Sequence, residues 1–415
     1  MRVLHVLAQR PGRTGSGTTL DALVREADLL GHEQAVLVGT PADDAQPGVG
    51  GLPPERVTSL RFAPSAAQAD AAARLVSDLA FPVAGMSDVM PYPSSVWSTL
   101  SQTEIDAYRA AWERKLRTVC EGFDPELVHV HHAWLLAATI KDVAPRLPVV
   151  MHGHGTGLVQ LAKCPGLAPV VHAGVARNER LCVLHEEHAE RYARELAFEP
   201  ARIRVVGAGY REEIFHARGR CSESGLVLYA GKLSRAKGLP WLLEAWPRVR
   251  ERHPEARLEL AGGGAGDEAD LLRRRIEATD GCRALGELTP EALADRMRSA
   301  ELFVLPSLAE GLPLVLVEAA ACGARLVATD LPGTRALAEG LGERLFRVGG
   351  APSLRDAEAA DELRVPGFVE AWAEALTKAL APNRDRASRL ELEQLSWGAV
   401  ARRVESVWRE VLVPS

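Results

Sequence analysis

LVLYAGKLSRAKGL, residues 226–239, carries in miniature the plan of the whole chain. Its first five residues are long enough for one buried strand, Gly231 breaks the run, Lys232 and Lys237 punctuate a basic turn, and from Leu239 onward the apolar spacing becomes helical. A strand that enters a Gly-containing turn and leaves it as a helix is the repeating unit of a parallel sheet covered by helices. Outward from this unit the rhythm recurs. Short apolar runs at 2–7, 34–38, 127–130, 148–151, 181–184 and 203–206 predict strands in a first half. Runs at 226–230, 257–261, 282–285, 302–305 and 325–328 predict them in a second. The fold class is therefore α/β, built twice.

The two halves are separated by HARGRCSES, residues 216–224, which lacks apolar periodicity and reads as a linker. The expected organisation is a first domain over 1–215, the linker, a second domain over 225–386 and a helical tail over 387–415 packing across both. In the tail Ser396 is placed to cap a helix from Trp397, with apolar residues at Val400, Val404, Val407 and Val411. One stretch breaks the rhythm: FPVAGMSDVMPYPSSVWSTL, residues 81–100, has three prolines and a glycine. It reads either as a substrate-contacting loop or as a surface excursion, and its Met86, Met90, Tyr92 and Trp97 argue against disorder.

A chain of 415 residues with 47% apolar content has room for two cores, and a net charge of −6 builds in no general attraction to nucleic acid or an anionic membrane. The longest weakly polar stretch, 312–328, is interrupted by Glu318 and Arg325, so no membrane span is expected. The start, MRVLHVLAQRPGR, has too short an apolar run for a secretion signal, and an intact cytoplasmic chain is the expectation. Its six cysteines are scattered without a Cys-x-x-Cys pair, as core thiols in a reducing compartment would be.

The chemistry concentrates in Glu310-Gly-Leu-Pro-Leu-Val-Leu-Val-Glu318 and the AAACG that follows. Pro313 suits a first helical turn and Gly323 a left-handed end, which makes the helix short. Glu318 is the only charged side chain from Leu314 to Gly323, and a carboxylate in such an apolar helix needs hydrogen-bond donors to offset its desolvation. The helix start favours an anion, whereas two carboxylates there favour hydroxyl groups; a nucleotide sugar supplies both. Lys232 and Lys237 would sit near its diphosphate, and the glycines of LAGGGAG, residues 260–266, allow close backbone approach at a strand end.

These three segments, in this order, resemble the retaining glycosyltransferases of the GT-B fold, in the large family numbered 4, in which two Rossmann-like domains face each other across a cleft. The resemblance spans nearly the whole chain. It is strongest over 226–333, where the Gly-Lys-Leu-Ser-x-x-Lys-Gly turn, the Gly-rich loop and Pro306-Ser-x-x-Glu310-Gly-x-Pro-x-x-x-x-Glu318 follow one another.

What the resemblance implies carries over residue by residue. Lys232 and Lys237 match the two cationic positions on the donor diphosphate, although the first is commonly Arg, whose bidentate grip a Lys replaces by a point charge. Glu318 matches the residue that accepts from ribose hydroxyls, and Glu310 the one that orients a donor-sugar hydroxyl. Gly231, Gly263 and the backbone of Gly311, Leu312 and Leu314 would border the donor, with Leu285 near the base. Pro313 stands where many members have Gly and has no N–H to give, so the Leu312 and Leu314 amides become the expected donors. In the first half, Gly15 and Gly17 of GRTGSGTT match the family's glycine-rich loop. His154 of His152-Gly-His154-Gly matches the histidine near the reacting sugar, and Gly157 replaces a frequent Asp. On the acceptor side the expected residues are Ser16, Asp88, Tyr92 and His132.

The activity implied is transfer of a sugar from a UDP- or GDP-sugar to a small hydrophilic acceptor (a sugar, cyclitol, thiol or specialised metabolite) without metal or other cofactor. The leaving phosphate would itself take the acceptor proton. An Ala-rich stretch at 66–80 with one Arg against two Asp leans away from a lipid acceptor. No nucleic-acid or membrane partner is expected, and a homodimer is allowed. An epimerase or hydrolase of the same fold and a silent nucleotide-sugar-binding protein stay open. An NAD enzyme is disfavoured, because Gly15-x-Gly17 meets Leu20 where a third small residue is wanted. His129, His131, His132, His152 and His154 raise a metal site, but no Cys or carboxylate cluster accompanies them; hydrogen-bonded strand-end histidines are the expectation. His185 and His188 are expected on a helix surface.

Overall fold

The computed structural model describes residues 1–12, 14–64, 76–88, 90–264, 266–353, 367–381 and 392–413. It divides into two compact units: Met1–Ala208 joined by Trp397–Ser415, and Gly209–Ser396. Most of the Ala-rich 66–80 stretch and part of the 387–415 tail lie outside the described residues.

The first unit is built on seven strands. They are β1 (Arg2–Leu7), β2 (Glu33–Pro41), β3 (Val57–Phe62), β6 (Leu127–His131), β7 (Val149–His152), β8 (Arg180–Val183) and β9 (Ile203–Val205), in the order β3-β2-β1-β6-β7-β8-β9. All pairings are parallel. The order reverses between β1 and β6, which opens a crevice at the strands' carboxyl ends. Register puts His5 opposite His129, His131 opposite His152, and His152 opposite Cys182, so one sheet face carries a row of polar residues. The other face, with Leu4, Val6, Val128, Val130 and Met151, packs on Tyr108 and Trp112 of the helix Gln102–Phe123, which opens with a reciprocal Ser101/Glu104 cap. The histidine-bearing face is covered by the helix Trp397–Leu412, which contacts β7, β8 and the helix Gly15–Leu29.

Residues 81–100 are built into this core. Phe81, Met86, Tyr92 and Trp97 are buried, two short strands, β4 (Ala84–Gly85) and β5 (Ser95–Val96), pair with each other, and Trp97 packs edge-on against Tyr108 and Trp134. They are thus no surface excursion.

The second unit repeats the plan. Its strands β10 (Leu226–Ala230), β11 (Arg257–Ala261), β12 (Cys282–Gly286), β13 (Leu302–Leu305), β14 (Arg325–Thr329) and β15 (Leu345–Val348) run in the order β12-β11-β10-β13-β14-β15, all parallel, with the switch between β10 and β13. Trp241, Trp246, Trp372 and Tyr229 fill one side and Phe303, Leu316 and Leu326 the other.

The polar segment 216–224 belongs to this second unit, and the boundary lies earlier, at Ala208/Gly209. Its polarity reflects anchoring: Arg298 donates to the carbonyls of Ile214 and His216, the Glu223 amide donates to Ser299, and the Glu223 carboxylate pairs with Arg257. The chain then crosses back at its other end, where Tyr210 bridges Ser396 and the helix Trp397–Leu412 returns to the first unit. Among the described residues no helix is long and apolar enough to cross a membrane. Cys164, Cys182 and Cys322 are buried, Cys120 and Cys282 half-buried, and Cys221 is exposed.

Candidate functional site

In the second unit the polar groups gather where β10 and β13 end. Tyr229, inside the sheet, curls its hydroxyl back to donate to the Lys232 carbonyl at 2.7 Å, and a Cβ on Gly231 would sit 2.6 Å from that hydroxyl. Gly231 is therefore required by the fold of the turn. At Gly238 the backbone is left-handed (φ +72°) and a Cβ would fall 1.8 Å from the Pro306 carbonyl oxygen. The Leu308 amide donates to Ala236 at 3.0 Å. These contacts clamp the basic turn onto the segment after β13, and in consequence Lys237 Nζ meets Glu310 Oε1 at 2.7 Å. Lys232, on the same turn, is exposed and forms no ion pair among the described residues.

The helix Leu314–Ala321 starts one residue later than expected. Pro313 (φ −79°, ψ 80°) lies before it, in a tight turn that ties the Leu314 amide to the Leu312 carbonyl at 2.9 Å. The Leu314 N–H is thus already spent, which corrects its expected part as a free donor. The Leu312 amide has no acceptor among the described residues. At the other end Gly323 (φ +95°) closes the helix as expected, with Gly323 and Ala324 donating to Ala320 and Ala319. Glu318 faces this apolar setting with no hydrogen-bond donor among the described residues. Burial pushes its carboxyl up to about 7, against the pull of Arg211, the nearby cation.

The glycine-rich loop is shaped by close approach. A Cβ on Gly262 would meet the Gly231 carbonyl oxygen at 1.9 Å, and one on Gly263 the Glu287 carboxylate at 2.3 Å. Leu285 lies half-buried on β12, whose Gly286 accepts from the Gly262 amide. Glu287, Arg211 and the buried, unpaired Ser307 hydroxyl were not singled out by spacing. Ser307 carried the available signal, standing beside Pro306 in the same motif as Glu310.

In the first unit the buried groups at the ends of β1 and β6 are neutral, with Arg10 paired to Asp44 beside them. Thr14 caps the helix Gly15–Leu29, accepting from Gly17 at 3.2 Å, and a Cβ on Gly17 would lie 2.5 Å from the Gly12 nitrogen. Gln9, at the end of β1, donates to Thr14 Oγ1 and to Ser16 Oγ at 2.7 Å, and accepts from the Met86 amide at 3.3 Å. Asp88 is held by Lys163, and Tyr92 is buried with Arg10 over its ring at 5.9 Å. His132 ends β6 in a left-handed conformation (φ 71°), rare for a non-glycine and typical of constrained sites, with Nδ1 3.1 Å from Thr156 Oγ1.

His131 Nδ1 and His154 Nε2 lie 3.1 Å apart, and the rings of His131, His152 and His154 stack nearly parallel. Burial lowers all of these histidines, His132 to about 3 and His152 to about 4, so they are neutral at ordinary pH. Gly157 backs onto the Ala133 carbonyl oxygen, 2.8 Å from any added Cβ. His188 corrects its surface expectation: its ring is buried against Tyr192, whose hydroxyl accepts from the Gly155 amide at 3.1 Å, while His185 caps the helix Glu186–Glu195.

His129, His131 and His152 bring one ring nitrogen each within 4.8 Å of the others. They do not suit a cation. Trp408 Nε1 donates to His129 Nδ1 at 2.8 Å, which takes that lone pair and leaves the proton on Nε2, the atom a metal would need.

Two family models cover the chain: the glycosyl transferases group 1 match residues 224–382, and the glycosyl transferase 4-like domain residues 14–209. A D-inositol 3-phosphate glycosyltransferase of Catenulispora acidiphila is 31% identical over 70% of this chain and 77% of its own length. A phosphatidyl-myo-inositol mannosyltransferase of Mycolicibacterium smegmatis is 35% identical over 32% of this chain and 34% of its own length. Among solved structures, a sucrose-phosphate synthase of Thermosynechococcus elongatus aligns with a TM-score of 0.64 over 99% of both chains at 16% identity. An Anabaena protein in complex with UDP and glucose aligns at 0.61 over 98% of this chain and 99% of that one, at 15% identity.

Proposed function

Because the chain belongs to the group 1 glycosyl transferases, the GT-B enzymes of family 4, we propose that it moves a sugar from a nucleoside diphosphate donor to a small hydrophilic acceptor, with retention and without a metal ion. The observation that carries this reading is the Lys237–Glu310 ion pair on the loops where β10 and β13 end. In the structure each member satisfies the other. When donor binds, Lys237 turns to the diphosphate and Glu310 accepts from a hydroxyl of the sugar. Lys232, Lys237 and the Leu312 amide stabilise the charge that grows on the departing diphosphate, an electrostatic contribution of the kind that dominates many catalysed reactions. The bond from the anomeric carbon to the phosphate oxygen breaks while the acceptor oxygen attacks the same face, and the acceptor proton passes to that phosphate oxygen.

Glu318 accepts from the ribose hydroxyls, which supply the donors its carboxylate lacks. His154 stands by the reacting sugar, and Ser16 and His132 border the acceptor. The name of the Catenulispora relative favours a cyclitol or its phosphate as that acceptor. Asp88, held by Lys163, and the buried Tyr92 contribute by shaping the wall.

The test is calorimetric titration of metal-free protein with UDP and GDP, then with their sugar conjugates in the presence and absence of myo-inositol and inositol phosphates. The expected outcome is selective binding of one diphosphate, lost in Glu318→Ala, and glycoside formed only with acceptor. Binding of neither diphosphate overturns the donor site. Donor turnover that is indifferent to acceptor favours a hydrolase or epimerase.

A further inference from the structure

The helix Trp397–Leu412 covers the histidine-lined face of the first sheet mostly with small and apolar residues, among them Val400, Ala401, Val404 and Val407. Trp408 is different. Its ring is buried edge-on among three imidazoles, those of His5, His32 and His129, at 5.6 to 5.7 Å between centroids. Its one polar atom is aimed at His129 Nδ1, 2.8 Å away.

An indole nitrogen only donates, so this contact fixes a sequence of protons. His129 Nδ1 must hold a lone pair. The ring is fully buried and neutral, so its proton sits on Nε2, which donates to His152 Nδ1 at 3.3 Å. His152 must in turn carry its proton on Nε2, a buried atom without a partner among the described residues. The His152 plane so fixed is the surface on which the His154 ring lies, 4.8 Å away and 8° from parallel. His131, 11° from parallel with His154 and 5.6 Å from His152 between centroids, meets the His154 Nε2 edge-on through its own Nδ1, 3.1 Å away.

We infer that Trp408 is a positioning residue for His154, acting through the hydrogen-bonded chain Trp408–His129–His152 and the stack of His152 on His154. The link to sugar transfer rests on the donor reading above; the proton arrangement does not. All four residues lie within the first unit, so its strand-end geometry is set by a helix encoded some 280 residues after β6.

The experiment combines ¹⁵N spectroscopy of histidine-labelled protein with steady-state kinetics on the same samples, for the wild type, Trp408→Phe, and protein with β-(3-benzothienyl)alanine at position 408, which keeps the indole's shape without its N–H. The expected wild-type result is Nε2–H at both His129 and His152. Both replacements should bring in the Nδ1–H form at His129 and lower kcat about tenfold, with the donor KM unchanged, as loss of orientation near a reacting centre does. A wild-type Nδ1–H at either ring overturns the inference, as do unchanged tautomers or an unchanged kcat in the benzothienyl protein. Should the wild type bind no diphosphate, the donor reading fails, and the ring tautomers alone then decide for or against the chain.

Discussion

The two sheets share one strand order and differ in what stands at the switch point. In the second unit the loops after β10 and β13 carry Lys232, Lys237 and Glu310, charged and within reach of solvent. In the first, the corresponding ends of β1 and β6 carry Gln9, His131 and His132, neutral and buried. The same backbone plan thus offers one crevice whose lysines can meet a dianion and one whose buried strand-end groups give and take hydrogen bonds, with the neighbouring Arg10 paired to Asp44. The contrast teaches that the crevice comes from topology, whereas its chemistry comes from a few residues at strand ends.

Acid is expected to break the symmetry most. Burial lowers His5 and His132 to about 3 and His152 to about 4. The unfolded chain takes these protons near pH 6.5 while the folded unit refuses them, so the stability they contribute is fully present above pH 6.5 and is lost as pH falls towards 4. Each ring costs about 1.4 kcal/mol per pH unit in that window, the three together about 4. Glu318 runs the other way: raised to about 7, it favours the folded second unit below its ordinary carboxylate range and loses that contribution as pH rises to 7. Calorimetry between pH 7 and 5 should therefore show the first unit's transition falling well below the second's. Transitions that move together would remove the contrast.

Lys237→Ala comes next. Loss of the paired cation should lower transfer about 10²- to 10³-fold, and Lys232→Ala, which removes an exposed point charge, about tenfold. Equal losses in steady-state assays would show that the ion pair does not set Lys237 apart. A smaller effect is expected at Glu318. Ribose hydroxyls favour its charged form, so diphosphate binding should tighten from pH 6 to 8 and release a proton, detectable as a buffer-dependent heat. In Glu318→Ala the pH dependence should vanish, with affinity reduced by about 1–3 kcal/mol. Ser16→Ala should be mildest, costing the first unit about 0.5–1.5 kcal/mol through the lost Gln9 contact. If Ser16 borders the acceptor, the variant should also raise the acceptor KM and leave the donor KM unchanged.

Much of this was legible because it is local. The strands that flank the switch points are unbroken apolar runs, and Gly238, Gly262 and Gly323 stand where the backbone turns left-handed. Besides the two-residue strands β4 and β5, Val57–Phe62 and Leu345–Val348 were missed. Val57–Phe62 carries Ser59 and Arg61 within it and Leu345–Val348 carries Arg347, polar residues that interrupt the apolar run by which a buried strand is read. The polar segment 216–224 reads equally as a linker or as a strap fastened by Arg298 and Arg257, and spacing does not distinguish them. Lys237 and Glu310 are each marked by motif, but that the two touch depends on Gly238 meeting Pro306. Nothing local joins Trp408 to His129, which lie 279 residues apart.

The return of the chain to its first unit also orders its biosynthesis. The second unit is an insertion whose two ends meet where Tyr210 bridges Ser396. Every residue of it leaves the ribosome before Trp397–Leu412 does. A nascent chain therefore holds all that its second unit requires while its first still shows an uncovered row of histidines, and the last helix to be translated is the one that finishes the first sheet to be made.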